Sequence, residues 1–308
     1  MTRARSLDLP LRDGVGVSAV ALPQTGPWGL MLDFLDQRMP AVTRAVWAAR
    51  MQNASVFGEQ GQVLPPEAPF HGGGRIFYYR ELAVEPVSPF TESIVFQDDR
   101  LLVADKPHFL PVTPGGRYVR ETLLTRLKQR TGLLHLSPAH RIDRETAGLV
   151  MFTVQPQDRG AYQNLFRDRE VSKVYEAIAP FRADLQLPLI RRSRMQESAA
   201  AFMQSIEVDG EVNAETRIEL RECLAGDANL ARYALHPSTG QRHQLRVHMN
   251  ALGLPIVGDS IYPELLPPQD AADFGRPLQL LAKALSFVDP LSGQPRHFES
   301  KLRLTGGV

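Results

Sequence analysis

Between residues 216 and 224 the chain alternates: Thr216, Ile218, Leu220 and Leu224 are interleaved with Arg217, Glu219 and Arg221. A period of two suits an extended strand with one face buried and the other in water, so the chain has to build a sheet. A turn at Gly226-Asp227 and a return strand through Tyr233 and Leu235 make the first pairing antiparallel. Similar strand pairs are expected at 94–96 with 101–104 around Asp98-Asp99, and at 278–287 with 296–298 around Asp289-Pro290. The apolar run 149–154 is strand-sized. Two helices interrupt them. One spans 121–131, with Leu123, Leu124 and Leu127 inward and Gly132 ending it. The other spans 242–252, with Leu245, Met249 and Leu252 on its buried face and Arg242, Arg246 and Asn250 on another, stopped by Gly253 and Pro255. The class is α+β, with a mainly antiparallel mixed sheet.

The 308 residues exceed the usual size of one domain, so two are expected. Residues 1–26 carry Gly and Pro with little periodicity and read as an N-terminal arm. Residues 27–82 read as a small helix-helix-hairpin unit: a helix from Trp28 that Pro40 stops, a second that Thr43 caps, and strands at 54–57 and 75–79. A proline-punctuated linker, 83–92, precedes a larger domain, 93–308.

Composition narrows the partners and the compartment. Lys and Arg number 35 against 34 Asp and Glu, so a net charge of +1 gives no whole-molecule pull toward nucleic acid, and any such contact must come from local clusters. One cluster lies between residues 116 and 175, where eleven basic side chains against six acidic ones leave +5. Arg191, Arg192 and Arg194 form another. Cys223 is the single cysteine, which rules out an internal disulfide and agrees with a reducing compartment. The eight histidines show no HExxH or comparable ligand spacing, and no metal is expected. No apolar run approaches the roughly 18 residues that span a bilayer, and the N-terminus, with Arg3, Arg5, Asp8 and Asp13, lacks an apolar signal core. A cytoplasmic protein without a membrane partner is the expectation.

The most informative segment is His140-Arg141-Ile142-Asp143-Arg144-Glu145-Thr146-Ala147-Gly148-Leu149. Alone, an Arg-x-Asp in a polar loop before a strand reads as a surface ion pair. Further segments follow along the chain: Asp105-Lys106-Pro107 with Val112 and Pro114-Gly115; Lys173-Val174-Tyr175; Thr239-Gly240-Gln241-Arg242-His243-Gln244-Leu245-Arg246-Val247-His248; and Leu254-Pro255-Ile256-Val257-Gly258-Asp259 with Tyr262. Together they resemble the RluA family of pseudouridine synthases, with its H-R-L-D-x-x-T-S-G-L, D-K-P-x-G-x-x-V-x-P-G, K-x-Y and T-G-R-x-H-Q-(I/L)-R-x-H patterns. The likeness covers residues 93 to about 300. His108-Phe109 departs from the family's small residues, and Leu280-Leu281-Ala282 lacks the histidine of its L-H-A. The 27–82 unit is similar in order and length to the S4 RNA-binding domain. Of that domain's basic second-helix start it keeps Arg44 and Arg50, while Asp33 and Asp36 make the first helix acidic. It equally reads as a packing module.

The resemblance implies a fold of pseudouridine synthase type and the isomerisation of uridine to pseudouridine in structured RNA, ribosomal or transfer, with the base flipped out. Asp143, Tyr175 and Arg246 are then the catalytic set. Asp143 is the carboxylate, Arg246 the cation that keeps it charged, and Tyr175 the ring against the uracil. Arg141 is the residue that enters the RNA stack as the uridine leaves. His140, Arg242, Gln244 and Lys173 are the remaining substrate contacts. The reaction breaks the C1′–N1 bond, turns the base and joins C5 to C1′, with no redox change and no external group. No cofactor is expected, and a monomer is, because family members commonly are. Attack of the carboxylate at C1′, attack at C6 and deprotonation of the sugar to a glycal all stay open. Two other readings stand beside this one: an RNA-binding relative that has lost turnover, and an unrelated hydrolase pairing Asp143 with Glu145 or Glu176.

Overall fold

The computed structural model describes residues 9–82, 84–199, 203–225, 229–267 and 274–305. The expected turn at Gly226-Asp227 lies outside them. No helix among the described residues is long and apolar enough to cross a membrane. The chain divides into two compact units. One comprises Met1–Glu85, Gly115–Arg120 and Lys128–Leu134; the other comprises Pro86–Pro114, Glu121–Leu127 and His135–Val308.

In the first unit the order is β1 (Ser18–Ala21), α1 (Met31–Arg38), α2 (Arg44–Gln52), β2 (Val56–Phe57) and β3 (Arg75–Tyr78). Helix α1 ends just before Pro40, and Thr43 caps α2 by accepting the Val46 N–H. The strands form an antiparallel sheet in the order β1-β3-β2. Phe34, Leu35, Trp47 and Met51 of the helices pack on Val56 and Ile76 of the sheet. Of the expected arm 1–26, residues 1–8 lie outside the described residues and the rest is not simply an arm. Ser18 to Ala21 pair with Tyr78 to Arg75, and a four-residue strand of small side chains is too short to announce itself by periodicity.

The second unit continues with β4 (Ser93–Gln97), β5 (Leu101–Lys106), α3 (Leu123–Thr131), β6 (Ser137–Pro138), β7 (Ala147–Thr153), α4 (Arg159–Arg167), β8 (Ser172–Pro180), β9 (Leu189–Glu197), β10 (Ser205–Val208), β11 (Ala214–Cys223), β12 (Leu230–Pro237), α5 (Gln244–Ala251), β13 (Leu280–Val288) and β14 (Pro295–Glu299). These strands form one sheet of order β10-β9-β11-β12-β8-β13-β7-β5-β4, with β14 on β13 and β6 on β7. All pairs are antiparallel except β13 with β7. The expected α+β class with a mixed, mainly antiparallel sheet is what the chain adopts.

Two boundaries and one strand differ from expectation. Residues 86–92 are not a free linker: Ser88 and Glu92 are buried, and Arg126 donates to the carbonyls of Ser88 and Phe90 at 2.9 and 2.7 Å. The 93–308 domain is not contiguous, since 115–120 and 128–134 cluster with the first unit. On β11 a bulge between Leu220 and Glu222 breaks the alternation and leaves Leu220 exposed.

Two apolar clusters hold the second unit. Leu245 and Met249 of α5 pack with Ala177, Ile218, Tyr233 and Leu235 of the sheet, as the i, i+4 spacing requires. Tyr162 and Leu165 of α4 pack with Leu101, Leu149, Met151 and Phe287. Where β7 runs parallel to β13, Gly148 has φ +109 and faces the Ala282 backbone so closely that a Cβ would lie 2.3 Å from its carbonyl oxygen. That close approach sets the strand directly behind the Asp143 loop.

Candidate active site

Asp143 sits in the loop between β6 and β7, and Arg246 in the first turn of α5, 103 residues later. Packing of Leu245 and Met249 turns Arg246 toward that loop. Its Nη1 lies 3.4 Å from Asp143 Oδ2. The Arg246 side chain is 1% exposed and that of Asp143 29%, so the cation is buried while its anion meets a cavity of about 960 Å³. Arg141, Asp143, Tyr175, Arg242 and Arg246 all line this cavity, as do His140, Lys173 and Gln244. All eight residues singled out from the sequence lie around one space.

Sequence reasoning missed the residue that holds Arg246 in place. Asp259 accepts from Nε at 2.8 Å and from Nη2 at 2.6 Å, and its Oδ1 also takes the backbone N–H groups of Ile261 and Tyr262. Burial disfavours the guanidinium's charge, but the bonds and charge of Asp259, then Asp143 and Glu145, outweigh it and raise its pKa. Arg246 is thus a permanent, pre-aimed cation for Asp143. Leu254 to Asp259 matched the family pattern in order, yet nothing local in that loop announces an ion-pair partner 13 residues away.

Beneath the Asp143 loop a buried lysine does a further task. Neighbouring side chains on a strand point to opposite faces, and β5 uses both. Asp105 accepts from Ser300 Oγ and the Lys301 N–H, whereas Lys106 Nζ donates to the carbonyls of Pro107 at 2.9 Å and Arg144 at 3.0 Å. Burial brings the Lys106 pKa down to about 7, against the pull of Glu145 and Asp143. His108 Nδ1 bonds the Glu145 carbonyl at 2.7 Å. The backbone after Asp143 is therefore fastened at two successive carbonyls.

Tyr175 on β8 is half-buried. Burial and then the charge of Asp143 push its phenol above the ordinary range, so it stays protonated, able to stack on a base and donate a proton. Lys173, two residues earlier on the same face, donates to the Thr239 carbonyl at 2.9 Å, and burial with Arg169's charge lowers it to about 8. Arg141 is exposed and, among the described residues, has no hydrogen-bond or ion-pair partner.

Other side chains are committed differently from expectation. Gln244 is 4% exposed. Its carbonyl oxygen takes Thr239 Oγ1 and the Gln241 N–H, and its nitrogen donates to the Glu215 carbonyl and Thr216 Oγ1. With both ends bonded it braces the loop before α5 and has nothing to offer a substrate. His140 Nε2 accepts the Met151 N–H at 3.1 Å and its ring stacks on Phe166, so it orders the Asp143 loop from behind. Helix α5 begins at Gln244, so Arg242 precedes it and pairs with Glu197 at 3.0 Å. In the basic cluster at 191–194, Arg191 pairs with Glu207 and Arg192 with Glu215. In the first unit Arg44 pairs with Asp33 at 2.7 Å, and Arg50 is buried, donating to the Glu81 carbonyl.

The carboxylates of the hydrolase reading are also engaged. Glu145 pairs with Arg144 at 2.7 Å and Glu176 with Arg232 at 3.4 Å. No group of three or more His, Cys, Asp or Glu among the described residues could hold a metal ion.

A family model described as RNA pseudouridylate synthase matches residues 100–251, a span that includes Asp143, Tyr175 and Arg246. The dual-specificity RNA pseudouridine synthase RluA of Haemophilus ducreyi is 32% identical over 229 residues, covering 70% of this chain and 95% of that one. An uncharacterized RNA pseudouridine synthase of Synechocystis is 28% identical over 233 residues, 75% of this chain and 79% of its own. Among solved structures, human RNA pseudouridylate synthase domain containing 1 has the same fold, with a TM-score of 0.58 at 22% identity over 71% of this chain and 86% of that one. Likeness at this level, spanning nearly the whole of the Haemophilus enzyme, means that the chain belongs to the RluA family of RNA pseudouridine synthases.

Proposed function

We propose that this pseudouridine synthase acts on uridine in structured ribosomal or transfer RNA, with Asp143 as its catalytic carboxylate. The observation that carries the reading is the pair itself: Asp143 Oδ2 lies 3.4 Å from the buried guanidinium of Arg246, with Asp143 partly exposed on the wall of a cavity of about 960 Å³. A fixed cation beside the carboxylate holds it in a charge-assisted contact at the cavity wall, where it can meet a nucleoside. Tyr175 stacks on the uracil once the glycosidic bond is open. Arg141, exposed at the rim, takes the place of the extruded base.

Support for the RNA class comes from relatives. The Haemophilus enzyme is named as dual-specificity, and a mitochondrial relative of Saccharomyces cerevisiae, 30% identical over 179 residues, is named for position 32 of transfer RNA. For the first unit an S4-like RNA-binding role rests on the order and length of its elements alone, since Arg44 is paired with Asp33 and Arg50 is buried. The active species is taken as a monomer, the state common in the family, and the lone Cys223 suits the cytoplasm.

RNA containing 5-fluorouridine tests the assignment. The wild-type protein rearranges or traps the analogue, and with ordinary uridine it leaves RNA mass unchanged while pseudouridine appears. Asp143→Asn binds RNA but forms no pseudouridine; turnover by that variant refutes the catalytic role. Mapping pseudouridine in total RNA from cells with and without the gene identifies the target.

A further inference from the structure

Next to the Asp143–Arg246 pair stands a histidine to which the reading above gives no role. His243 precedes α5 with φ 57 and ψ 17, a left-handed conformation that histidine adopts more readily than most side chains and that fixes where its ring points. Its side chain is 8% exposed and lines the cavity. Nε2 lies 3.9 Å from Asp143 Oδ2, the oxygen that Arg246 also approaches, and Nδ1 lies 3.1 Å from Tyr262 Oη.

The proton count follows from these contacts. Tyr262 Oη accepts the Ser205 N–H at 2.7 Å and has one proton of its own, which can go to the Ser205 carbonyl at 3.0 Å or to His243 Nδ1. If the proton goes to the carbonyl, a neutral imidazole must donate from Nδ1 and turns a lone pair toward the Asp143 anion. If it goes to Nδ1, the imidazole turns its Nε2–H toward that anion. The charge on Asp143 selects the second arrangement. Burial, with Arg246 and Arg242, keeps the ring neutral against the opposite pull of Asp143.

We propose that His243 is a positioning residue of the isomerisation: wedged by Tyr262, it points Nε2–H at Asp143 Oδ2, so that Oδ2 is held from two sides and Oδ1 is the oxygen that meets the substrate. The idea rests on Asp143 being the catalytic carboxylate. A carboxylate free to spin about its Cβ–Cγ bond presents either oxygen at any tilt, and misplacement of about 1 Å can cost 10²-fold in rate. The 3.9 Å gap closes to a hydrogen bond when the substrate draws the loop in, as catalytic contacts often tighten in the complex.

The test uses full-length protein and unmodified transfer and ribosomal RNA transcripts carrying uridine tritiated at C5. Joining C5 to C1′ expels that hydrogen, so tritium release counts turnovers. His243→Asn is chosen because asparagine tolerates left-handed backbone and can reach Tyr262 but not Asp143; His243→Gln places an amide N–H near the Nε2 position. The expected result is a 10- to 100-fold loss of kcat in His243→Asn with KM within about twofold, and recovery of most of it in His243→Gln. Retained kcat in His243→Asn overturns the proposal, and so does an equal loss in both variants with unchanged melting temperatures, which would make the ring mere filling. Asp143→Asn runs alongside. If it turns over, the reading beneath the proposal has failed; if it is dead while His243→Asn is active, only the proposal has.

Discussion

Arg246 gives Asp259 two of its nitrogens, at 2.8 and 2.6 Å, and keeps only the third for Asp143. The division matters because the Asp259 side chain is 1% exposed and that of Asp143 29%. Asp259 is a permanent partner that fixes the guanidinium plane. Asp143 receives a cation already oriented and desolvated, so its contact with Arg246 needs little further ordering.

Removing the permanent partner therefore strands a buried charge. Asp259→Ala is expected to cost about 3–5 kcal/mol in urea unfolding, the range for breaking a buried ion pair from one side. It also releases the N–H groups of Ile261 and Tyr262. Activity falls at temperatures where the variant is still folded, because Arg246 is no longer aimed. Unchanged stability would mean that the pair is not the anchor described here.

Gly148 allows a sharper geometric test. Its φ of +109 lies where side chains are strained, and an added Cβ meets the Ala282 carbonyl oxygen at 2.3 Å and the amide nitrogen at 2.6 Å, both backbone atoms that cannot step aside. Gly148→Ala must push β7 from β13, at a cost of about 1–3 kcal/mol or more. Thermal unfolding measures the loss. Because the Asp143 loop feeds into β7, turnover drops further than stability alone accounts for.

Acid should unsettle the same loop through His140. Burial, and then the charge of Lys173, lowers its pKa to about 3, and Nε2 can accept the Met151 N–H only while unprotonated. In the unfolded chain the ring titrates near about 6.5. Between those values the unfolded state holds a proton that the folded state refuses, so the contribution is complete above about pH 6.5 and is lost as pH falls toward 3. His140→Gln keeps an acceptor for Met151 without the titration. The stability of wild type relative to this variant should decline below pH 6.5, by at most about 1.4 kcal/mol per pH unit for one proton; parallel curves would contradict the assignment.

How far the sequence disclosed this arrangement depends on how local each signal was. Leu245 and Met249 announced α5 and the side of it that carries Arg246, because helical spacing is written within a few residues. The Asp143 loop was legible through ordered motifs. Asp259 was not legible as a partner, nor was the three-stranded sheet that includes β1, since each is defined by a distant segment. Arg44 and Arg50 looked available to RNA because neither the pairing of Arg44 with Asp33 nor the bond of Arg50 to the Glu81 carbonyl is written in local sequence. Phe109 shows a departure that physics absorbs. It stands at the motif's glycine position and keeps a left-handed φ of 63, at a cost of about 1–3 kcal/mol. Its ring is stacked on Phe90 and set edge-on to Phe274, contacts worth roughly 0.5–1.5 kcal/mol each.

The rim arginines separate two kinds of RNA contact. Arg141 and Arg169 are both exposed beside the cavity, and replacing either with alanine should leave stability within about 0.5 kcal/mol. Their kinetic effects should differ. If Arg169 meets a phosphate, Arg169→Ala raises KM, leaves kcat within about twofold and makes the plot of log affinity against log salt shallower by about 0.7, the value for one phosphate of a single strand. If Arg141 fills the gap left by the flipped uridine, Arg141→Ala must leave that gap open, and unstacking a base costs a few kcal/mol. The loss then appears in kcat, by tenfold or more, and persists when a mismatched or unpaired target lowers the binding contribution of the surrounding helix. Steady-state tritium release at three salt concentrations distinguishes the two; equal salt slopes and equal kcat for both variants would mean that neither residue has the contact assigned to it.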